Sequence, residues 1–300
     1  MFILLCYNFI GDYMEIILNK LNGFCAGSSN TIKQANKVLE QYDEDIYCLG
    51  EILHNERVIS SLEDKGMITI NSVDEVPDGS KLIFRAHGET KANYLKVKNK
   101  NIMLFDFTCP KVKKIHDKVE LNSKDSFVII IGKKTHPEVI GTISFAGDNS
   151  YVIESDFDID DCFDKVKKSN LNSIYICSQT TYSSEKFIEI TDFIQSKYDN
   201  YSYIIDNTTC PATKNRQDET SKLCELVDAM IVIGGKHSSN TLELANIARE
   251  KLDKVFLVQD ISDLEDIDLS NINKLGISSG ASTPDEVTNE IIDYINDKYN

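Results

Sequence analysis

Hydrophobic and polar positions fall into one order that the chain uses three times. An apolar, β-rich run leads to a cysteine: Glu15-Ile16-Ile17-Leu18 before Cys25, Ile102-Met103-Leu104-Phe105 before Cys109, and Tyr203-Ile204-Ile205 before Cys210. Helical spacing follows each cysteine. Ile32, Ala35, Val38 and Leu39, then Val112, Ile115 and Val119, then Leu223, Leu226 and Val227 predict one apolar face per helix. Next comes an apolar strand that stops at glycine and then histidine: Ile46 to Gly50 and His54, Val128 to Gly132 and His136, Met230 to Gly234 and His237. After a second helix, a further strand ends in small or polar residues. These tips are Phe84-Arg85-Ala86-His87-Gly88, Cys177-Ser178-Gln179-Thr180-Thr181 and Ser279-Gly280-Ala281-Ser282, with a third helix predicted after each, as over residues 183–197 and 285–298.

The spacing makes coincidence a poor explanation. Cys109 and Cys210 stand 101 residues apart, and the separations Cys25 to His54, Cys109 to His136 and Cys210 to His237 are 29, 27 and 27. One αβ unit used three times predicts an α/β fold of parallel sheets whose ligands gather beyond the strand carboxyl ends. The expected domains are residues 14–109, 110–208 and 209–300, related by pseudo-threefold symmetry about a shared site. The third unit lacks a strand after its last helix, so the strand over residues 14–18 is predicted to close the third sheet; pairing with the first unit would refute this.

Composition narrows the class. A chain of 300 residues with 41% hydrophobic content can bury a sizeable core in two or three domains. The net charge of −16 argues against nucleic acid as a partner. Local basic clusters at Lys96, Lys98 and Lys100 and at Lys111, Lys113, Lys114 and Lys118 read as solvated helix faces, with docking of an acidic electron-transfer partner as the sharper alternative. Eight cysteines without a convincing export signal read as cytosolic thiols. The opening run from Met1 to Cys6 is too short to span a bilayer, and residues 1–13 are given no function. The expectation is a cytoplasmic monomer with no membrane partner.

The chemistry centres on the repeated cysteines. Proline after Cys109 and Cys210 suits the first helical position, and a helix N-terminus favours thiolate; after Cys25, Ala26-Gly27 permits a tight turn. Three converging thiolates suit zinc or an iron–sulfur centre. With no C-x-x-C pair to close a zinc site, a [4Fe–4S] cluster with one iron open to substrate fits best, against three ordinary buried cysteines. Cys48 and Cys177 in strands, Cys224 on an apolar helix position and Cys162 in an acidic loop read as core packing, and Cys6 falls in the N-terminal tail. His54, His87, His136 and His237 end strands or occupy tips, whereas His116 sits inside a helix and reads as structural. Ser238-Ser239-Asn240, opening a helix over residues 241–251, and Ser282 before Pro284 suggest phosphate, against plain helix capping. Glu138 is either a proton donor kept protonated by burial or a surface residue at a helix start.

Gly23-Phe24-Cys25-Ala26-Gly27, Ala86-His87-Gly88, Thr108-Cys109-Pro110, His136-Pro137-Glu138, Gln179-Thr180-Thr181, Thr209-Cys210-Pro211, Ser238-Ser239-Asn240 and Gly280-Ala281-Ser282-Thr283-Pro284-Asp285 together resemble the LytB-type 4-hydroxy-3-methylbut-2-enyl diphosphate reductase family. The resemblance runs from about Met14 to the C-terminus. It implies a trefoil of three αβ domains around a [4Fe–4S] cluster on Cys25, Cys109 and Cys210. It further implies reductive dehydroxylation of the diphosphate substrate to isopentenyl and dimethylallyl diphosphates, in the non-mevalonate isoprenoid pathway, by two electrons and two protons. Glu138 would carry the proton role, His136 would relay protons, and Thr180 would bond near the hydroxyl. His54, His87, His136, Ser238, Ser239, Asn240 and Ser282 would hold the diphosphate, with reduced ferredoxin or flavodoxin as electron donor. Two departures stand out: Ser28-Ser29-Asn30 replaces the usual valine and following arginine after Cys25-Ala26-Gly27, and His237 sits at a variable position and is left off the site. Quinolinate synthase resembles the same three-unit, three-cysteine plan, and a non-enzymatic cluster sensor is a third reading. Ser238-Ser239-Asn240 and His136-Pro137-Glu138 favour the reductase.

Overall fold

The computed structural model describes residues 13–300. The chain begins with β1 (Glu15–Leu18), α1 (Ala26–Gln41), β2 (Ile46–Leu49), α2 (Glu56–Glu63), β3 (Met67–Ile70), β4 (Lys81–Phe84), α3 (Lys91–Asn99) and β5 (Met103–Asp106). It continues through α4 (Pro110–Asn122), β6 (Phe127–Ile131), α5 (Pro137–Ile143), β7 (Ser150–Ile153), α6 (Asp158–Ser169), β8 (Ser173–Ser178), α7 (Ser184–Lys197) and β9 (Ser202–Asp206). The last stretch is α8 (Pro211–Leu223), β10 (Ala229–Ile233), α9 (Ser239–Arg249), β11 (Val255–Val258), β12 (Lys274–Ser279) and α10 (Asp285–Tyr299).

The strands form three four-stranded parallel sheets of one topology: β3-β2-β4-β5, β7-β6-β8-β9 and β11-β10-β12-β1. In each, the strand that leads into a cysteine lies at the edge, beside the strand that carries a polar tip. β1 takes that edge in the third sheet, with Ile16 opposite Leu275 and Ile17 opposite Gly276 on β12.

Parallel strands covered on both faces have no solvent side and read as unbroken apolar runs. Phe127-Val128-Ile129-Ile130-Ile131 of β6 and Ala229-Met230-Ile231-Val232-Ile233 of β10 are buried throughout. Alternate residues serve opposite faces. Ile231 and Ile233 join Ile291 and Ile295 of α10, while Met230 and Val232 join Leu244 and Ala248 of α9.

Residue contacts group the described chain into two compact units. One comprises residues 13–29, 54–56 and 211–300 and holds the β11-β10-β12-β1 sheet; the other comprises residues 30–53 and 57–210 and holds the remaining two sheets. No helix among the described residues is long and apolar enough to cross a membrane.

Two expectations need correction. Cys162 lies not in an acidic loop but on α6, where Ile159, Cys162, Phe163 and Val166 are buried. The acidic run is the first turn of that helix: Asp158, Asp160 and Asp161 face the positive end of its dipole, and Lys167 and Lys168 the negative end. The helix after Cys210 does not bury an apolar face through Leu226. It ends at Leu223, Leu226 is exposed, and the buried residues are Thr213, Arg216, Gln217, Thr220 and Leu223.

Ile129 is fully buried in β6. Ile129→Ala is expected to destabilise the protein by about 2–5 kcal/mol. A urea titration checks this, and an unchanged midpoint contradicts it.

Candidate functional site

Each repeat cysteine is held by the same contact. The Cys109 N–H donates to the Ala86 carbonyl at 3.0 Å, the Cys210 N–H to the Thr180 carbonyl at 2.9 Å, and the Cys25 N–H to the Ala281 carbonyl at 3.0 Å. All three acceptors lie just past the end of a tip strand, β4, β8 or β12. Cys25, Cys109 and Cys210 are also the partly exposed cysteines among those described, whereas Cys48, Cys162, Cys177 and Cys224 are buried. Burial pushes the Cys48 and Cys162 thiols up to about 12 and raises those of Cys177 and Cys224, which disfavours the thiolate form at these four.

In the unit with two sheets, the Lys111 ammonium donates to Cys210 Sγ at 3.3 Å. Gly88, at φ 76°, lets the tip after β4 turn tightly against Thr108, Val112 and His116, with no room for a side chain. His116 is buried, stacks on Phe145 with ring centroids 4.5 Å apart, and is held by burial at a pKa of about 4. It is a packing residue, as its place inside a helix suggested.

His136 caps α5, its Nδ1 accepting the Glu138 N–H at 3.2 Å. Pro137 at the first helical position sets the turn that sends Glu138 inward. Glu138 is only 3% exposed, which rules out a surface helix-start role. Its carboxyl accepts the Thr180 N–H at 2.6 Å and the Thr180 hydroxyl at 2.5 Å. Burial pushes its pKa up to about 6 against these two bonds. The His87 and His136 rings meet edge to face at 5.5 Å.

In the other unit, the His54 carbonyl lies over Gly235, where a side chain has no space. Ser238 caps α9, its Oγ accepting the Thr241 N–H at 3.4 Å. Ser239 is partly exposed, His237 is exposed, and Asn240 and Ser282 are buried. Capping accounts for Ser238 but not for its neighbours. Both amide atoms of Asn240 and the Ser282 hydroxyl are buried with no hydrogen-bond partner. Such groups cost about 1–3 kcal/mol each when left unpaired, a cost that a bound polar ligand removes.

Cys25 Sγ lies 3.3 Å from both the Ser28 N–H and the Ser28 hydroxyl. Behind this turn sits Arg216, buried on α8, whose guanidinium donates to the carbonyls of Leu21, Gly23 and Ser279 at 2.7, 2.6 and 3.0 Å. Sequence reasoning missed Arg216. The available signal was Thr213, Arg216, Gln217 and Thr220, a polar stripe at the spacing of a buried helix face.

Comparison with known proteins gives a consistent result. The LytB protein family model matches residues 16–296. A 4-hydroxy-3-methylbut-2-enyl diphosphate reductase of Clostridioides difficile (strain 630) is 35% identical over 283 residues, covering 94% of this chain and 99% of that protein. The structure of the E-1-hydroxy-2-methyl-but-2-enyl-4-diphosphate reductase from Plasmodium falciparum matches with a TM-score of 0.86 at 32% identity, over 93% of this chain and 87% of that one. A second solved structure, (E)-4-hydroxy-3-methyl-but-2-enyl diphosphate reductase, matches with a TM-score of 0.66 at 31% identity, over 94% and 99%.

The raised Glu138 pKa fixes the sign of a pH effect. The protonated carboxyl contributes stability that is fully present below the ordinary value of 4.5 and is lost as pH rises through about 6. Glu138→Gln removes this dependence. Urea titrations from pH 4.5 to 7 are expected to show the variant gaining about 2 kcal/mol relative to wild type and then levelling off. A pH-independent difference contradicts the assignment.

Proposed function

The chain belongs to the LytB protein family, and from that premise we propose that it is a 4-hydroxy-3-methylbut-2-enyl diphosphate reductase, an iron–sulfur oxidoreductase of the non-mevalonate isoprenoid pathway. The observation that carries this reading is the bonding of Thr180. Its carbonyl holds the Cys210 N–H while its own N–H and hydroxyl hold both oxygens of Glu138, so a buried acid is tied to a metal-type cysteine through one residue.

The donor set suits a cluster. Cys25, Cys109 and Cys210 are partly exposed, two of their sulfurs accept hydrogen bonds, and the chain offers no local pair to complete a four-cysteine zinc site. Cys25, Cys109 and Cys210 would hold a [4Fe–4S] cluster, which would supply one-electron transfer and Lewis-acid chemistry. The proposed domains follow the repeat, at residues 14–109, 110–208 and 209–300.

The remaining chemistry falls to the protein. Ser238, Ser239 and Asn240 at the N-terminus of α9, with Ser282, His54, His87 and His136, bind the diphosphate; the unpaired amide of Asn240 and hydroxyl of Ser282 are satisfied by its oxygens. Burial raises the Glu138 pKa toward the working range of a proton donor, and Thr180 keeps its carboxyl oriented. The C–O bond breaks, two electrons and two protons are taken up, and the oxygen leaves as water, giving isopentenyl and dimethylallyl diphosphates. Reduced ferredoxin or flavodoxin supplies the electrons to a cytoplasmic monomer. A cluster sensor has no use for a buried acid or an unpaired buried amide.

Anaerobic turnover with 4-hydroxy-3-methylbut-2-enyl diphosphate and a reduced dye tests the reading. Wild type is expected to yield both isomers, while Glu138→Gln keeps its iron and loses about a hundredfold in kcat. Iron-loaded wild type that neither binds the diphosphate nor forms product refutes it. Asn240→Ala is expected to raise KM about tenfold; an unchanged KM removes Asn240 from the diphosphate site.

A further inference from the structure

Arg216 is a buried cation that the scheme above leaves unused. Its three acceptors are all main-chain carbonyls, and no carboxylate lies within ion-pair distance of it among the described residues. A guanidinium in that setting is costly unless a negative charge compensates it. Burial lowers its pKa, and the anionic influences opposing burial are Cys25 first and Asp285 second. The clamped carbonyls belong to the loop that delivers Cys25 and to the end of β12, the strand whose tip residue Ala281 holds the Cys25 N–H. Ser28, itself buried, donates its N–H to the sulfur at 3.3 Å and brings its hydroxyl to the same distance.

We propose that Arg216 and Ser28 are positioning residues for the Cys25 thiolate: the guanidinium fixes the loop and supplies its buried counter-charge, Ser28 donates to the sulfur, and together they raise the reduction potential of the bound cluster. The inference rests on the cluster reading above. Hydrogen bonds to a ligating sulfur and positive charge near it both favour the reduced, more negative state. Lys111 beside Cys210 is exposed, so solvent and salt weaken its influence, whereas the field of a buried cation is not screened in this way.

The test uses the full chain, reconstituted anaerobically, with iron counted and the potential read by mediated titration. Ser28→Ala is expected to shift the potential to a more negative value, Arg216→Gln to shift it further, and Arg216→Lys to restore most of the loss, a rescue that a purely structural role does not give. An unshifted potential in Ser28→Ala, or in iron-loaded Arg216→Gln, overturns the proposal, as does an Arg216→Lys shift equal to that of Arg216→Gln. Should Arg216→Gln fail to fold, Ser28→Ala decides alone. Wild type that takes up no cluster refutes the functional reading instead, so the two failures are distinct.

Discussion

Three backbone hydrogen bonds, from the N–H of Cys25, Cys109 and Cys210 to the carbonyls of Ala281, Ala86 and Thr180, tie each repeat cysteine to the tip of a neighbouring strand. The sheets explain why they form. Each cysteine is reached from an edge strand, β1, β5 or β9, that runs parallel to a tip strand, β12, β4 or β8. Parallel neighbours end on the same side, so the chain that leaves one strand toward the cysteine passes the tip of the other within hydrogen-bonding reach. The apolar strands thus act as a jig: their burial fixes the register, and the register fixes where each sulfur can sit.

The three tips are alike in backbone and different in side chain, and the division of labour follows from that difference. Ala86 precedes His87, Thr180 follows Gln179, and Ala281 precedes Ser282. At Thr180 the tip also receives Glu138 from α5, where His136 and Pro137 turn the chain inward. A carboxyl buried there with only threonine donors retains its proton to a pH well above that of an exposed glutamate. The cysteine ties are common to all three sheets, and the Glu138–Thr180 contact belongs to the β8 tip.

Much of this was legible in the chain. The unbroken apolar runs of β6 and β10, the glycines that stop them and the near-equal cysteine-to-histidine separations announce parallel sheets used three times. Local signals also placed His136 at a helix start and Ser238 at another. What escaped was set by tertiary contacts. The acidic run around Cys162 looked like a loop because its charges mask a helix that buries Ile159, Phe163 and Val166. Arg216 escaped because periodicity shows that a polar stripe is buried but not that its guanidinium will find three carbonyls from distant segments. Ser28 stood out as a departure from the family pattern, and its bond to Cys25 needed coordinates to appear.

The account turns on the three repeat cysteines acting as one ligand set while the buried cysteines do not. The most direct measurement is iron content after anaerobic reconstitution of wild type and of single alanine variants at Cys25, Cys109, Cys210, Cys48 and Cys224. The account predicts about four irons per chain in wild type and in the Cys48 and Cys224 variants, with the cluster lost or depleted in each of the other three. Full iron retention by any of those three, or loss confined to the Cys48 or Cys224 variants, would contradict it.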